Sequence, residues 1–330
     1  MTIGILSSGG DCPGINATIR GVAKTALTHF GMKVIGIKSG FQGLLSQDAI
    51  PLNENDLSGL LNLGGTILGT SREKPFKKIL DGKSDDRSDV IINSYKQLGL
   101  DCLVCIGGNG TQKTAHKLSK LGLNIIGIPK TIDNDVWGTD ATFGFYSAVD
   151  IATDAIDRLH STASSHKRVM VIEVMGHKAG WIALYAGMAG GADVILIPEL
   201  GYNQQTVNQA ILDRVAKDKP YSIVVIAEQL NATEISKAIE EGTKLETRTT
   251  VLGYVQRGGS PSAFDRNLAT LLGGHATELI AQGRFGRMVS WKNNAVTSIP
   301  LSEVAGKLRA VPEDHNLIIQ GRRMGISFGA

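Results

Sequence analysis

Near-continuous apolar runs alternate along this chain with amphipathic helical patterns, and few folds accept that alternation. Residues 3–7, 33–37, 102–106, 124–128, 168–174, 193–197 and 221–227 read as strands. Between them apolar side chains recur at helical spacing: Ile15, Ile19, Val22, Ala26 and Phe30, then Ala115, Leu118 and Leu121, then Val149, Ala152, Ile156 and Leu159. Further helices are expected over residues 181–188 and 207–215. A strand that is apolar on both faces must be covered on both faces, so parallel sheets between helical layers are expected. The class is α/β and doubly wound, and a length of 330 residues suggests about two lobes. The polar, weakly patterned stretch 73–89 reads as exposed or mobile.

Charge excludes some partners. The 34 basic and 31 acidic side chains give a net charge of +3, too weak to argue for nucleic acid or a membrane surface. No apolar run approaches the ~18 residues that span a bilayer, and the start enters a strand at once, leaving no room for a signal peptide. Three cysteines, Cys12, Cys102 and Cys105, make no disulfide framework, so a reducing cytoplasm is expected. Cys102 and Cys105, three apart on one strand, point to opposite faces and read as core. His160 and His166 are read as a helix end and a loop, without zinc spacing.

The 40 glycines exceed the usual share of ~7% and collect at strand ends. Ser8-Gly9-Gly10-Asp11-Cys12-Pro13-Gly14 joins a strand to a helix start, where free N–H groups and the helix dipole favour phosphate. Alone it reads equally well as a plain turn. Gly107-Gly108-Asn109-Gly110-Thr111 repeats the signal, and two such loops on neighbouring parallel strands would face one crevice. Pro129-Lys130-Thr131-Ile132-Asp133-Asn134-Asp135 follows the next strand on the same sheet edge. An isolated Asp-Asn-Asp is most simply an Asx-rich turn. Beside two glycine loops, a base and a metal-supporting carboxylate is the stronger reading, as phosphoryl transfer requires. Gly64-Gly65-Thr66 and Gly69-Thr70-Ser71-Arg72 add a small-residue turn ending in a guanidinium suited to phosphate oxygens. Arg168, Arg248 and Arg257 suggest a sugar phosphate. Phe41 fits either a stacking platform for a base or the core.

These runs resemble the bacterial-type 6-phosphofructokinases. The match extends from about residue 3 to residue 288 and includes residues 8–16, 64–72, 107–111, 129–135, 164–168, 173–176 and 252–261 in the family's order. The resemblance implies two doubly wound three-layer α/β/α lobes with the active site between them. Residues 1–138 plus about 251–300 would form the donor-binding lobe, and 139–250 plus about 301–330 the sugar-phosphate lobe. It implies transfer of a phosphoryl group from ATP-Mg to the 1-hydroxyl of fructose 6-phosphate, in glycolysis. Asp133 matches the catalytic base, Asp135 its partner near the metal, and Thr131 the residue that touches the transferred group and the sugar, with Arg72 in the same catalytic set. Gly10, Arg72, Glu73, Gly108, Asn109, Gly110 and Thr111 fall on donor positions, and Asn109 and Asp135 on those linked to Mg2+. Thr131, Asp133, Arg168, Met175, Gly176, His177, Glu228, Arg248, Tyr254 and Arg257 fall on sugar-phosphate positions. Arg168 and Arg248 would reach across from a neighbouring subunit, which implies a homo-oligomer, usually a tetramer.

Three positions depart from the family pattern. Asn109 stands where many members have aspartate, His177 replaces a common arginine, and Tyr254 a common histidine. They lend some weight to a non-catalytic sugar-phosphate or nucleotide sensor. Intact Asp133, Asp135, Thr131, Arg72, Arg168 and Arg248 weigh more strongly for a kinase. The donor is set by Gly110 and Lys130. Pyrophosphate users carry aspartate at the first position and lysine at the second; this chain has only the lysine. Without the carboxylate nothing repels a triphosphate, so ATP is expected over pyrophosphate.

Overall fold

The computed structural model describes residues 1–78 and 84–330 of the chain. In chain order the strands are β1 (Thr2–Ser8), β2 (Lys33–Ile37), β3 (Ala49–Pro51), β4 (Phe76–Lys78), β5 (Ser84–Asp86), β6 (Cys102–Gly107) and β7 (Ile125–Pro129). They continue as β8 (Val169–Val174), β9 (Val194–Leu196), β10 (Ser222–Ala227), β11 (Thr247–Val251), β12 (Arg287–Lys292) and β13 (Ala295–Pro300). Two compact units result. The first comprises Met1–Thr131, Val136–Gly144 and Arg257–Leu308, and the second Ile132–Asp135, Phe145–Gln256 and Arg309–Ala330.

The first unit holds a seven-stranded sheet in the order β13-β12-β7-β6-β1-β2-β3. Leu6, Leu103, Cys105 and Ile125 pack on one face against Phe41, Leu44, Ile91, Ala115 and Leu118 of the covering helices. Ile3, Ile5, Val104 and Ile106 alternate with them, point to the other face and are also fully buried. The helices Ile15–Thr28 and Ala263–Ala281 pack together. A Cβ on Gly273 would lie 2.9 Å from the Thr18 carbonyl oxygen, so only glycine allows that crossing. Register then levels three strand ends: Ser8 pairs with Gly107, and Gly107 with Pro129. The loops that leave β1, β6 and β7 therefore start side by side.

The second unit is built on an all-parallel sheet in the order β11-β8-β10-β9. Val171, Val224 and Ile226 meet Val207, Ile211, Ile235 and Ile239 on one face. The helix Trp181–Ala189 covers the other, where a Cβ on Gly187 would sit 2.8 Å from the Ile195 side chain. Val174 pairs with Ala227, so Met175 and Glu228 follow at one edge.

The doubly wound α/β class holds, with corrections. The first sheet is mixed, because β3 and β13 run antiparallel at its two edges. Asn293 and Asn294 both take positive φ, 51° and 57°, the geometry of a tight two-residue hairpin between β12 and β13. The first helix stops at Thr28, before Phe30, and the helix Asn109–Lys120 stops before Leu121, which is exposed. His160 lies within the helix Phe145–His166 and His166 is its last residue, because buried Ala163 prolongs the apolar stripe beyond Leu159. Phe41 is core, and the three thiols are buried and pushed up in pKa by that burial. Of the stretch 73–89, residues 79–83 lie outside the described residues. On either side of them β4 and β5 pair antiparallel, and the helix Ser88–Gln97 follows. Among the described residues no helix is long and apolar enough to cross a membrane.

Candidate active site

The first unit gathers the glycine loops. After β1, Gly9 and Gly14 adopt φ of 90° and 103°, which side chains rarely tolerate, and the chain turns directly into the helix Ile15–Thr28. The segment that ends in Arg72 is laced to this loop. The Gly9 N–H donates to the Ser71 carbonyl at 2.9 Å, and Thr70 Oγ1 donates to the Gly9 carbonyl at 2.7 Å. Lys130 Nζ donates to the Gly10 carbonyl, and Arg257 Nη1 to the Asp11 carbonyl at 3.1 Å. A Cβ on Gly10 would lie 2.7 Å from the Arg257 guanidinium, so any other residue there would displace that side chain.

Beyond β6, Gly108 caps the helix Asn109–Lys120, leaving the first N–H groups at its start to face an anion. Thr111 Oγ1 donates to the Ser8 carbonyl at 3.4 Å. Fully buried Gln112 donates from Nε2 to the Gly107 carbonyl at 2.8 Å and to the Ile128 carbonyl at 3.0 Å. It staples the root of the second glycine loop to the root of the Pro129–Thr131 segment. Sequence reading passed over it, because one glutamine in an amphipathic helix looks like a surface residue. A Cβ on Gly110 would come 3.0 Å from Lys74 Nζ. Arg72 is exposed, and Glu73 is paired with Arg87. Thr131, the last residue of this segment in the first unit, accepts at its carbonyl from Thr142 Oγ1 at 2.8 Å.

The second unit holds the carboxylates. Asp133 and Asp135 are only 8% and 4% exposed, around an Asn134 with φ of 51°. His177 Nδ1 lies 3.8 Å from Asp135 Oδ2. Its own φ is 53°, and its N–H donates to Glu228 Oε1 at 2.7 Å. The preceding Gly176 has φ of 151°, and the Met175 N–H donates to Gln256 Oε1 at 3.3 Å. One ligand atom from each of Asp133, Asp135 and His177 falls within a 4.8 Å group that could hold a metal ion. Two carboxylate oxygens suit a hard divalent cation such as magnesium. Arg309 donates to the Asn134 carbonyl from Nη1 at 3.0 Å.

Arg168 and Arg248 come together on a single carboxylate. Arg168 Nε donates to Glu246 Oε2 at 2.5 Å, and Arg248 Nη2 donates to Oε1. The Arg168 hydrogen bond, with both positive charges, holds Glu246 below the usual carboxylate range. Tyr254 is 74% exposed. Arg257 belongs to the first unit, where it meets the Gly10–Asp11 loop.

Burial first, and then the charge of Asp133, push Asp135 from 3.8 up to about 6, with His177 opposing. An acid whose pKa is raised on folding binds its proton more tightly in the native state. The contribution of this group to stability is therefore greatest below its unfolded value near 3.8 and is lost as pH rises through about 6. In protein stripped of divalent cations, Asp135→Asn should stabilise the fold by on the order of 2–3 kcal/mol more at pH 7 than at pH 4, relative to wild type. Denaturant titrations at the two pH values measure this. An equal effect at both would contradict the assigned shift.

Comparisons with known proteins agree with this geometry. The family model described as phosphofructokinase matches residues 2–280. The chain is 66% identical over 336 residues to the ATP-dependent 6-phosphofructokinase 3 of Bacteroides thetaiotaomicron, covering 100% of both chains. Among solved structures, the phosphofructokinase of Saccharomyces cerevisiae matches with a TM-score of 0.83 at 33% identity, over 92% of this chain and 45% of that one. This chain thus spans less than half the length of the yeast chain. The pyrophosphate-dependent phosphofructokinase of Marinobacter aquaeolei matches with a TM-score of 0.86 at 25% identity, over 100% of this chain and 92% of that one. The chain belongs to the phosphofructokinase family.

Proposed function

We propose that this chain is an ATP-dependent 6-phosphofructokinase of glycolysis, converting fructose 6-phosphate to fructose 1,6-bisphosphate. The observation that carries the reading is the buried Asp133–Asp135 turn in a chain of this family, joined through Thr131 to a unit lined with glycine loops. Asp133 is the base that takes the proton of the 1-hydroxyl as its oxygen bonds to the terminal phosphorus of the donor, while the bond from that phosphorus to the bridging oxygen breaks and ADP leaves with the electron pair. Gly10, Gly108, Asn109, Gly110 and Thr111 are the residues assigned to the donor phosphates, with Arg72 adding charge. Glu228, Met175, Gly176 and His177 hold the sugar, and Arg168, Arg248, Tyr254 and Arg257 its 6-phosphate. Asp135 and Asn109 are the residues assigned to magnesium, which when bound neutralises charge on the phosphate oxygens. The donor half is assigned to residues 1–138 plus about 251–300, and the sugar-phosphate half to the remainder. The three buried thiols suit a cytoplasmic setting.

ATP is the donor on two grounds. The Bacteroides relative carries an ATP-dependent name, and Gly110 lacks the carboxylate that would repel a triphosphate. Lys130 is the feature that favours pyrophosphate. Its side chain is only 3% exposed and its ammonium donates to the Gly10 carbonyl, so it braces the first glycine loop. That role serves either donor.

Initial rates of fructose 1,6-bisphosphate formation with magnesium-ATP and magnesium-pyrophosphate at equal concentration test the choice. ATP should be preferred, and a faster rate with pyrophosphate would refute it. Gly110→Asp should lower kcat/KM for ATP by about tenfold or more, because like-charge juxtaposition costs several kcal/mol. Unchanged ATP kinetics in that variant would remove the electrostatic argument.

The assembly assigned to this enzyme is a homotetramer in which Arg168 and Arg248 serve a neighbouring subunit's substrate. Mixing Arg248→Ala chains with Asp133→Asn chains, each nearly inactive alone, should restore part of the activity. A fully active monomer at high dilution would contradict shared sites.

A further inference from the structure

We propose that Arg309 is a positioning residue for the Asp133–Asp135 turn, acting through the backbone of Asn134 and Asp135. The inference rests on reading Asp133 as the base. The Arg309 N–H donates to the Asp135 carbonyl at 2.9 Å, and its guanidinium donates through Nη1 to the Asn134 carbonyl at 3.0 Å. Two consecutive carbonyls of the turn are thus held by one residue, 175 positions away in the chain.

The turn needs such a brace. Asn134 sits in the left-handed region, with φ of 51°. A rotation of the 134–135 peptide would re-aim both flanking carboxylates; the Asn134 carbonyl belongs to that peptide and the Asp135 carbonyl to the next, so holding both fixes their direction.

The brace is itself anchored. The Arg309 guanidinium lies 4.0 Å from the centroid of the Trp181 ring, and Trp181 Nε1 donates to the Arg309 carbonyl at 3.0 Å. Trp181 is almost fully buried at the start of the helix Trp181–Ala189. Glu199 ties the same pieces together, accepting from the Gly180 N–H at 3.0 Å and from the Val311 N–H at 2.9 Å. The turn is therefore referenced to a core helix. Arginine suits the position because its planar guanidinium stacks on an indole face while an edge N–H donates. Lysine offers the charge without the plane.

The test compares Arg309→Met, which keeps an unbranched stem against Trp181, with Arg309→Lys and with Asp133→Asn. In Arg309→Met, kcat should fall about ten- to hundredfold while both KM values stay within about threefold, as for a displaced reacting group. Arg309→Lys should recover part of that loss. A folded Arg309→Met with kcat within about twofold of wild type would overturn the inference, as would a rise in KM at constant kcat. Should Arg309→Met fail to fold, turnover per folded Arg309→Lys decides, and a wild-type kcat there overturns it. Lost turnover in Asp133→Asn beside full turnover in Arg309→Met defeats only the positioning role. Full turnover in Asp133→Asn defeats the reading on which it rests.

Discussion

Burying Asp133 and Asp135 two positions apart sets one charge against another where water cannot screen them. The consequence is visible in Asp135, held near 6 by burial and by its neighbour. Left alone such a turn would relax outward. It is held by Arg309 on its carbonyls, by His177 beside Asp135, and by the Glu228 contact that fixes the strained His177 backbone. A divalent cation would add the remaining positive charge, and the spacing of the oxygens suits one.

The first unit meets a different constraint, that of bringing glycine-rich backbone loops together at one edge of its sheet. Level ends of β1, β6 and β7 start the loops side by side, and Gln112 ties two of their roots. Lys130 and Arg257 engage carbonyls of the first loop, so these cations stiffen the loop as well as adding field. The glycines at positions 9 and 14 are required by positive φ, and Gly10 leaves room for the Arg257 guanidinium.

Legibility in the sequence followed burial. The central strands β1, β2, β6, β7, β8 and β10 are apolar on both faces and stand out as runs. β11, with the sequence Thr-Arg-Thr-Thr-Val and three exposed positions, carries no such run because it is an edge strand. The β12–β13 hairpin carries a local signal in Asn293-Asn294, both at positive φ. Among candidate site residues, sequence singles out those in short motifs, since glycine turns and paired carboxylates declare themselves locally. Gln112, Glu246 and Arg309 are not singled out, because each acts on backbone or side chains that only the fold brings near. Arg257, which the resemblance assigns to the sugar phosphate, also donates to the Asp11 carbonyl, a contact no local pattern announces.

The central claim is that the Asp133–Asp135 turn performs the proton transfer of phosphoryl transfer, and the turnover of Asp133→Asn tests it most directly. The amide keeps the size of the side chain and removes its basicity. The account predicts a fall in kcat on the order of 10²–10⁴, with KM for fructose 6-phosphate much less affected. A folded Asp133→Asn enzyme that turns over at close to the wild-type rate would contradict it.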